Sequence, residues 1–194
     1  MQRGRLIASG GGPGGPDTAC FRCHGLDGGG QGASGFPLIG GMDARYLAKQ
    51  LDDYASGARA SDVMAPIARG LSAADRRAVA LYHSRLAPRP QSPPRADPQL
   101  LQDGGVLYAV GSAARGLQAC TNCHGPGARG IPPGYPRLAG QHAAYTEAQL
   151  RLWQAGSRRN DVANVMRHIA SRLSQREIEA VAAYLAALGG RGPQ

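Results

Sequence analysis

Apolar and aromatic side chains recur at three- and four-residue spacing in four stretches of this chain, the interval that lines one face of a helix. Tyr46, Leu47, Leu51 and Tyr54, with Gln50 among them, predict one helix; Asp43 is placed to cap its start and Gly57 to end it. A second helix is expected from about His142 to Ala155, stopping at Gly156. Ser72 opens a third through Val79, Tyr82 and Leu86. Ser174-Gln175-Arg176-Glu177 has the form of a capping box, and the helix after it carries Ile178, Val181, Leu185 and Leu188 on one face before Gly189-Gly190. Residues 106–110 read as a short helix, with a weaker equivalent near residues 5–8. No run alternates apolar and polar as a half-buried strand does, so the expected fold class is all-α. The longest apolar run, residues 181–188, falls far short of the ~20 residues that a membrane span needs.

The helices come in two sets because the chain repeats itself. Cys20-Phe21-Arg22-Cys23-His24-Gly25 returns 100 residues later as Cys120-Thr121-Asn122-Cys123-His124-Gly125. Tyr46, Gln50, Leu51, Tyr54 and Gly57 match Tyr145, Gln149, Leu150, Trp153 and Gly156 at a shift of 99. A three-residue insertion then moves the shift to 102, pairing Met64 with Met166, Leu71 with Leu173, Ser72 with Ser174 and Tyr82 with Tyr184. Residues 88–98 hold five prolines, a composition that favours extended polyproline geometry. The expected organisation is therefore a domain over 1–88, a Pro-rich linker over 89–98 and a second domain over 99–194.

Composition sharpens this picture. Hydrophobic residues make up 42%, yet only ten side chains are aromatic, so two domains of this size hold few large side chains for their cores. Something besides side chains is expected to fill the middle of each. With 29 Gly and 14 Pro, loops must be extensive, which argues against a helical bundle. The net charge is +9, from 22 basic and 13 acidic residues, and Lys49 is the one lysine. The charge is spread over both halves without basic–aromatic interleaving, which speaks against nucleic acid and for an acidic protein partner. The first residues are basic but lack an apolar stretch of secretory-signal length, so the chain is expected to be cytoplasmic or a mature form whose leader is gone.

The repeated Cys-x-x-Cys-His is the attachment signature of c-type haem. Two intervening residues let both sulfurs reach the vinyl-derived carbons on one porphyrin edge, and the adjacent His sits under the iron. A redox dithiol needs a βαβ pattern that is missing, and a zinc ribbon needs its two Cys pairs much nearer than Cys23 and Cys120. Two covalent haems follow, attached through Cys20 and Cys23 and through Cys120 and Cys123, which leaves no Cys for disulfides. A haem would also supply the large flat apolar surface that the sparse aromatics do not.

His24 and His124 are the expected proximal iron ligands. Met64 and Met166 are the expected sixth ligands, because they match in the repeat and lie 40 and 42 residues beyond the two histidines. A thioether is a soft ligand, and His/Met ligation raises the potential. Met42 competes in the first half, but its counterpart is Gln141; His168 stands in reserve beside Met166, while His83 and His142 read as surface or helix-end residues. Pro37 and Pro136 follow the two histidines by 13 and 12 residues, where a rigid turn can present a backbone carbonyl to the imidazole Nδ1–H. Arg59 and Arg158 match in the repeat and suit either a haem propionate or a solvated helix end.

With these residues in hand, the sequence resembles the class I cytochromes c and, in its tandem form, the dihaem cytochrome c4 family. The resemblance covers nearly the whole chain and is carried best by residues 116–126 and by the Pro-x-Leu-Ala-Gly-Gln run from Pro136 to Gln141. The first half departs from it at Pro37-Leu38-Ile39-Gly40-Gly41-Met42, and its N-terminal helix looks truncated and Gly-rich. The resemblance implies two helical haem domains related by a pseudo-two-fold axis, with haems close enough for rapid electron exchange. It also implies a periplasmic protein, soluble or loosely attached to the membrane, with its leader removed.

The function expected is one-electron transfer between a respiratory donor, a dehydrogenase or quinol-oxidising complex, and an acceptor such as a terminal oxidase. The alternative is a dihaem subunit held permanently by a dehydrogenase, as in flavocytochrome sulfide dehydrogenases. Six ligands on each iron leave no position for substrate, so no catalysis is expected. Dihaem peroxidases are longer, and thiosulfate-oxidising cytochromes use a Cys ligand that this chain cannot spare. Four haem propionates would bring the net charge from +9 to about +5, still basic enough to steer docking onto an acidic redox partner.

Overall fold

The computed structural model describes residues 1–87 and 95–190. They form two compact units, the first built on α1 to α5 and the second on α6 to α10. Most of the expected linker therefore lies outside the described residues. Its last residue, Pro98, already opens a helix that the Asp97 carboxylate caps by accepting the Gln99 N–H.

In the first unit α1 spans Gln2–Gly10, α2 Phe21–His24, α3 Ala44–Ser56, α4 Met64–Gly70 and α5 Ala73–Ser84. The second unit repeats this order with α6 Pro98–Val110, α7 Thr121–His124, α8 Ala143–Gln154, α9 Val165–Ala170 and α10 Gln175–Ala187. Among the described residues there is no strand, only isolated bridges inside loops, and the fold is all-α. No described helix is long and apolar enough to cross a membrane.

The caps explain why the long helices start where they do. Asp43 accepts the N–H groups of Arg45 and Tyr46, and Gly57 ends α3 in the left-handed conformation. Ser72 accepts the Asp75 N–H at α5, and Ser174 with Glu177 completes a reciprocal capping box at α10. The expected helix at 106–110 is in fact 13 residues long, beginning at Pro98. Its middle contains Gly104 and Gly105, poor helix formers that are present for another reason, close packing on α10.

In the second unit one buried cluster joins Leu107 and Tyr108 of α6, Leu150 of α8 and Ile178, Val181 and Leu185 of α10. In the first, the buried apolar residues fall into two smaller clusters, around Ile7, Leu71 and Val79 and around Leu38, Met42, Leu47 and Ala80. Met42 is thus core filler.

An ion pair fastens the second unit's loop to α10. The Arg115 guanidinium grips the Glu177 carboxylate, with the Arg115 Nη1 donating at 3.0 Å, and holds the Glu177 pKa down to about 2. A depressed carboxylate contributes stability above its unfolded pKa of about 4.5 and loses it as pH falls toward 2. Acid titration of thermal stability should therefore show a loss of roughly 1 kcal/mol across that window after solvent screening. Arg115→Ala should flatten it.

Candidate functional site

The two Cys-x-x-Cys-His segments adopt the same local structure. Cys20 and Cys120 sit at the helix entrances, and the N–H of His24 and of His124 donates to the carbonyl of the first Cys at 2.9 Å in both units. One helical turn thus places both sulfurs and the imidazole together. Burial pushes the Cys20 and Cys120 thiols up to about 11, so neither is a thiolate at neutral pH. No cluster of His, Cys, Asp or Glu among the described residues suits a bare metal ion.

After the histidine the chain makes a loop whose backbone is fixed at the same points in each unit. The N–H of Gly30 and of Gly130 donates to the carbonyl of the preceding His at 2.8 Å. Both glycines have φ near +80°, and a Cβ on either would lie 2.5 Å from the returning strand of loop at Phe36 or Arg137. The loop then brings Pro37 and Pro136 under the imidazoles. Nδ1–H of His24 donates to the Pro37 carbonyl and that of His124 to the Pro136 carbonyl, each at 2.9 Å. The rings are buried, which lowers both imidazole pKa values, while the carbonyl bonds act the other way. Phe36 and Tyr135 stand edge-on to the two rings at 6.4 and 6.1 Å. With Nδ1 committed, Nε2 is the nitrogen that each ring offers to a metal.

Met64 and Met166 both stand at the start of a short helix, α4 and α9, that the periodicity of the sequence did not announce. The Met64 N–H donates to Ser61 Oγ at 3.0 Å and the Met166 N–H to Asp161 Oδ2 at 2.7 Å. Both methionines are half-buried, and Met166 packs on the second unit's core. The extra length of the second repeat lies just ahead of Met166, where Ala163 and Asn164 take left-handed backbone conformations.

Arg59 and Arg158 are only 5% exposed, which rules out a solvated helix end. Arg59 donates to Gln50 Oε1 and Arg158 to Gln149 Oε1, each at 2.8 Å, and they lie over the rings of Tyr54 and Trp153 at 4.6 and 3.9 Å. Trp153 Nε1 is buried beside Arg158 without a hydrogen-bond partner among the described residues. The repeat already matched Gln50 with Gln149 and Arg59 with Arg158; the nine-residue spacing they share was the available sign of this pair. His83 stands in the last turn of α5, a helix-end position, but it is buried, at 4% exposed, rather than at the surface. His142 begins α8 as its cap residue, and His168 lies exposed on α9.

Residues 16–86 and 109–189 each match the cytochrome c family model. A thiosulfate dehydrogenase electron acceptor of Thiomonas intermedia is 42% identical over 173 residues, 89% of this chain and 80% of the relative. The crystal structure of reduced recombinant cytochrome c4 from Pseudomonas stutzeri superposes with a TM-score of 0.84 at 34% identity, covering 96% of this chain and 97% of that one.

The chain belongs to the dihaem cytochrome c4 family. A thiosulfate dehydrogenase (TsdBA) structure from Marichromatium purpuratum is also similar, with a TM-score of 0.87 at 38% identity; this chain spans 95% of its own length there but only 39% of that longer one.

Like the other dihaem cytochromes of its family, it is an electron-transfer protein with two covalently attached haem c groups. The residues present fit those groups. In each unit the first Cys is a neutral thiol one turn from a buried imidazole with Nε2 available, and Arg158 with the Trp153 N–H, unpartnered among the described residues, suits a carboxylate such as a porphyrin carries.

Proposed function

We propose that this cytochrome is a periplasmic one-electron carrier that takes electrons from a thiosulfate-oxidising dehydrogenase and delivers them to a respiratory acceptor. The observation that carries the reading is the duplication of one closed site: each half holds a buried His bonded through Nδ1 to a proline carbonyl, followed by a repeat-matched Met. When bound, each haem supplies a one-electron ferric/ferrous couple. Cys20, Cys23, Cys120 and Cys123 bind its edges, and His24 and His124 ligate iron through Nε2. The Pro37 and Pro136 carbonyls fix the ring orientation and make the imidazoles better donors. Met64 and Met166 would each offer the iron a soft thioether, a donor that favours the ferrous state. Arg59 and Arg158 hold haem carboxylates in the interior.

The donor class rests on the similarity to a thiosulfate dehydrogenase electron acceptor over most of both chains. The family's general role, carriage between a quinol-oxidising complex and an oxidase, is the second reading, favoured by the full-length match to cytochrome c4. A basic surface of net charge +9 before haem suits an acidic docking face on the donor.

Stopped-flow mixing of the ferric holoprotein with a thiosulfate dehydrogenase and thiosulfate distinguishes the two. Both haems should be reduced within a dehydrogenase turnover, and the rate should fall steeply as ionic strength rises above 0.1 M, where the Debye length is about 10 Å. Reduction no faster than by thiosulfate alone removes this donor and leaves the second reading.

A further inference from the structure

The two haem sites are near copies, and His83 is a buried polar residue at which the copy is broken. Its repeat partner at a shift of 102 is Leu185, and the backbone supports that match. The Gly41 N–H donates to the His83 carbonyl at 3.0 Å, as the Gly140 N–H donates to the Leu185 carbonyl at 2.9 Å. Leu185 belongs to the second unit's apolar core. His83 is equally buried, yet neither ring nitrogen has a hydrogen-bond partner among the described residues.

His83 sits against the loop that ties His24 to Pro37. Its Nδ1 lies 3.5 Å from where a Gly28 Cβ would be, and Gly28 in turn accepts the N–H groups of Ile39 and Gly40. Gly28, with φ +73°, leaves no room for a side chain against Gly40 and so allows the imidazole to close on this turn. Burial is the main cause that drops the His83 pKa to about 4, with His24 near enough to add an electrostatic push in the same direction. The ring is therefore neutral near pH 7.

A neutral imidazole is still a strong dipole. An unpartnered one can present either the lone pair of its free nitrogen or its N–H, whichever the local field favours. Oxidation of a haem adds one positive charge to a low-dielectric interior, where such a dipole is only weakly screened. Leucine has nothing comparable to offer. We propose that His83 is a tuning residue of the first haem, stabilising its ferric state and lowering its potential, while the second haem, with Leu185 in the same place, lacks this effect. The inference rests on His24 as the first haem's ligand and is independent of which dehydrogenase is the donor.

The test is spectroelectrochemical titration of wild-type, His83→Leu and His83→Gln holoprotein, each haem followed by its own paramagnetically shifted methyl resonances. His83→Leu places at this site the residue that the second repeat tolerates. It should raise the first haem's reduced-to-oxidised ratio at fixed potential by at least about threefold, a shift of roughly 28 mV at 59 mV per tenfold, and leave the second haem in place. His83→Gln keeps a neutral dipole and should stay near wild type, which a purely packing role would not produce. The proposal is overturned if His83→Leu leaves the first midpoint unmoved or lowers it, if both haems shift together, or if Gln moves it as far as Leu. The near-infrared sulfur-to-iron band, recorded on the same samples, tests the axial ligands separately.

Discussion

Met166→Ala is expected to halve the near-infrared sulfur-to-iron charge-transfer intensity of the oxidised protein, because one of the two proposed thioether ligands is gone. The second haem's potential should fall, since a soft donor that favours ferrous iron has been replaced by water or nothing. Its iron should then bind added imidazole or carbon monoxide more readily than that of the wild-type protein. The fold should survive, because Met166 is half-buried at the edge of the core, and the Asp161 carboxylate that caps the start of α9 bonds to its backbone N–H, which alanine keeps. Met64→Ala should do the same to the first haem and leave the second untouched. If Met166→Ala titrates like wild type and stays closed to ligands, the sixth donor lies elsewhere, and exposed His168 two residues on becomes the residue to replace next.

Features encoded in a few neighbouring residues were legible in the sequence. Asp43, Ser72 and Ser174 cap helices because a short side-chain oxygen satisfies the first free N–H groups, a property that needs no knowledge of the rest of the chain. The same is true of Cys-x-x-Cys-His, where one turn of helix brings two sulfurs and an imidazole together. What escaped was decided by distant partners. The length of α6 was hidden because Gly104 and Gly105 look like helix breakers until α10 lies across them. His83 does end a helix, as its neighbours indicate, but its burial comes from packing against the Gly28–Gly40 turn, far away in the sequence. Arg59 and Arg158 were left between two roles, and only the Gln–Arg–aromatic stack in each unit shows that they point inward. In each of these cases the missing information was a tertiary contact.

Gly104→Val should strongly destabilise the second unit, and Gly4→Val should do the same to the first. The two glycines are where the first and last helices of each unit cross. A Cβ on Gly4 would lie 2.2 Å from the Ala78 carbonyl oxygen, and one on Gly104 would lie 2.1 Å from that of Ala180, with Tyr82 or Tyr184 closing the other side. The clash is with backbone, so no rotamer relieves it; the helices must move apart. In the second unit that opens the contact between Leu107 and Tyr108 on α6 and Val181 and Leu185 on α10. Overpacking of this kind costs about 3 kcal/mol or more. For a domain of this size that should lower Tm by roughly 12–24 °C. Gly10→Ala is the control, because it lies in α1 with nothing within 4 Å of the added carbon. If Gly104→Val melts within a few degrees of wild type while Gly10→Ala is also neutral, the crossing can yield without cost. The covalent haem, rather than contact between the first and last helices, would then be what holds each unit together.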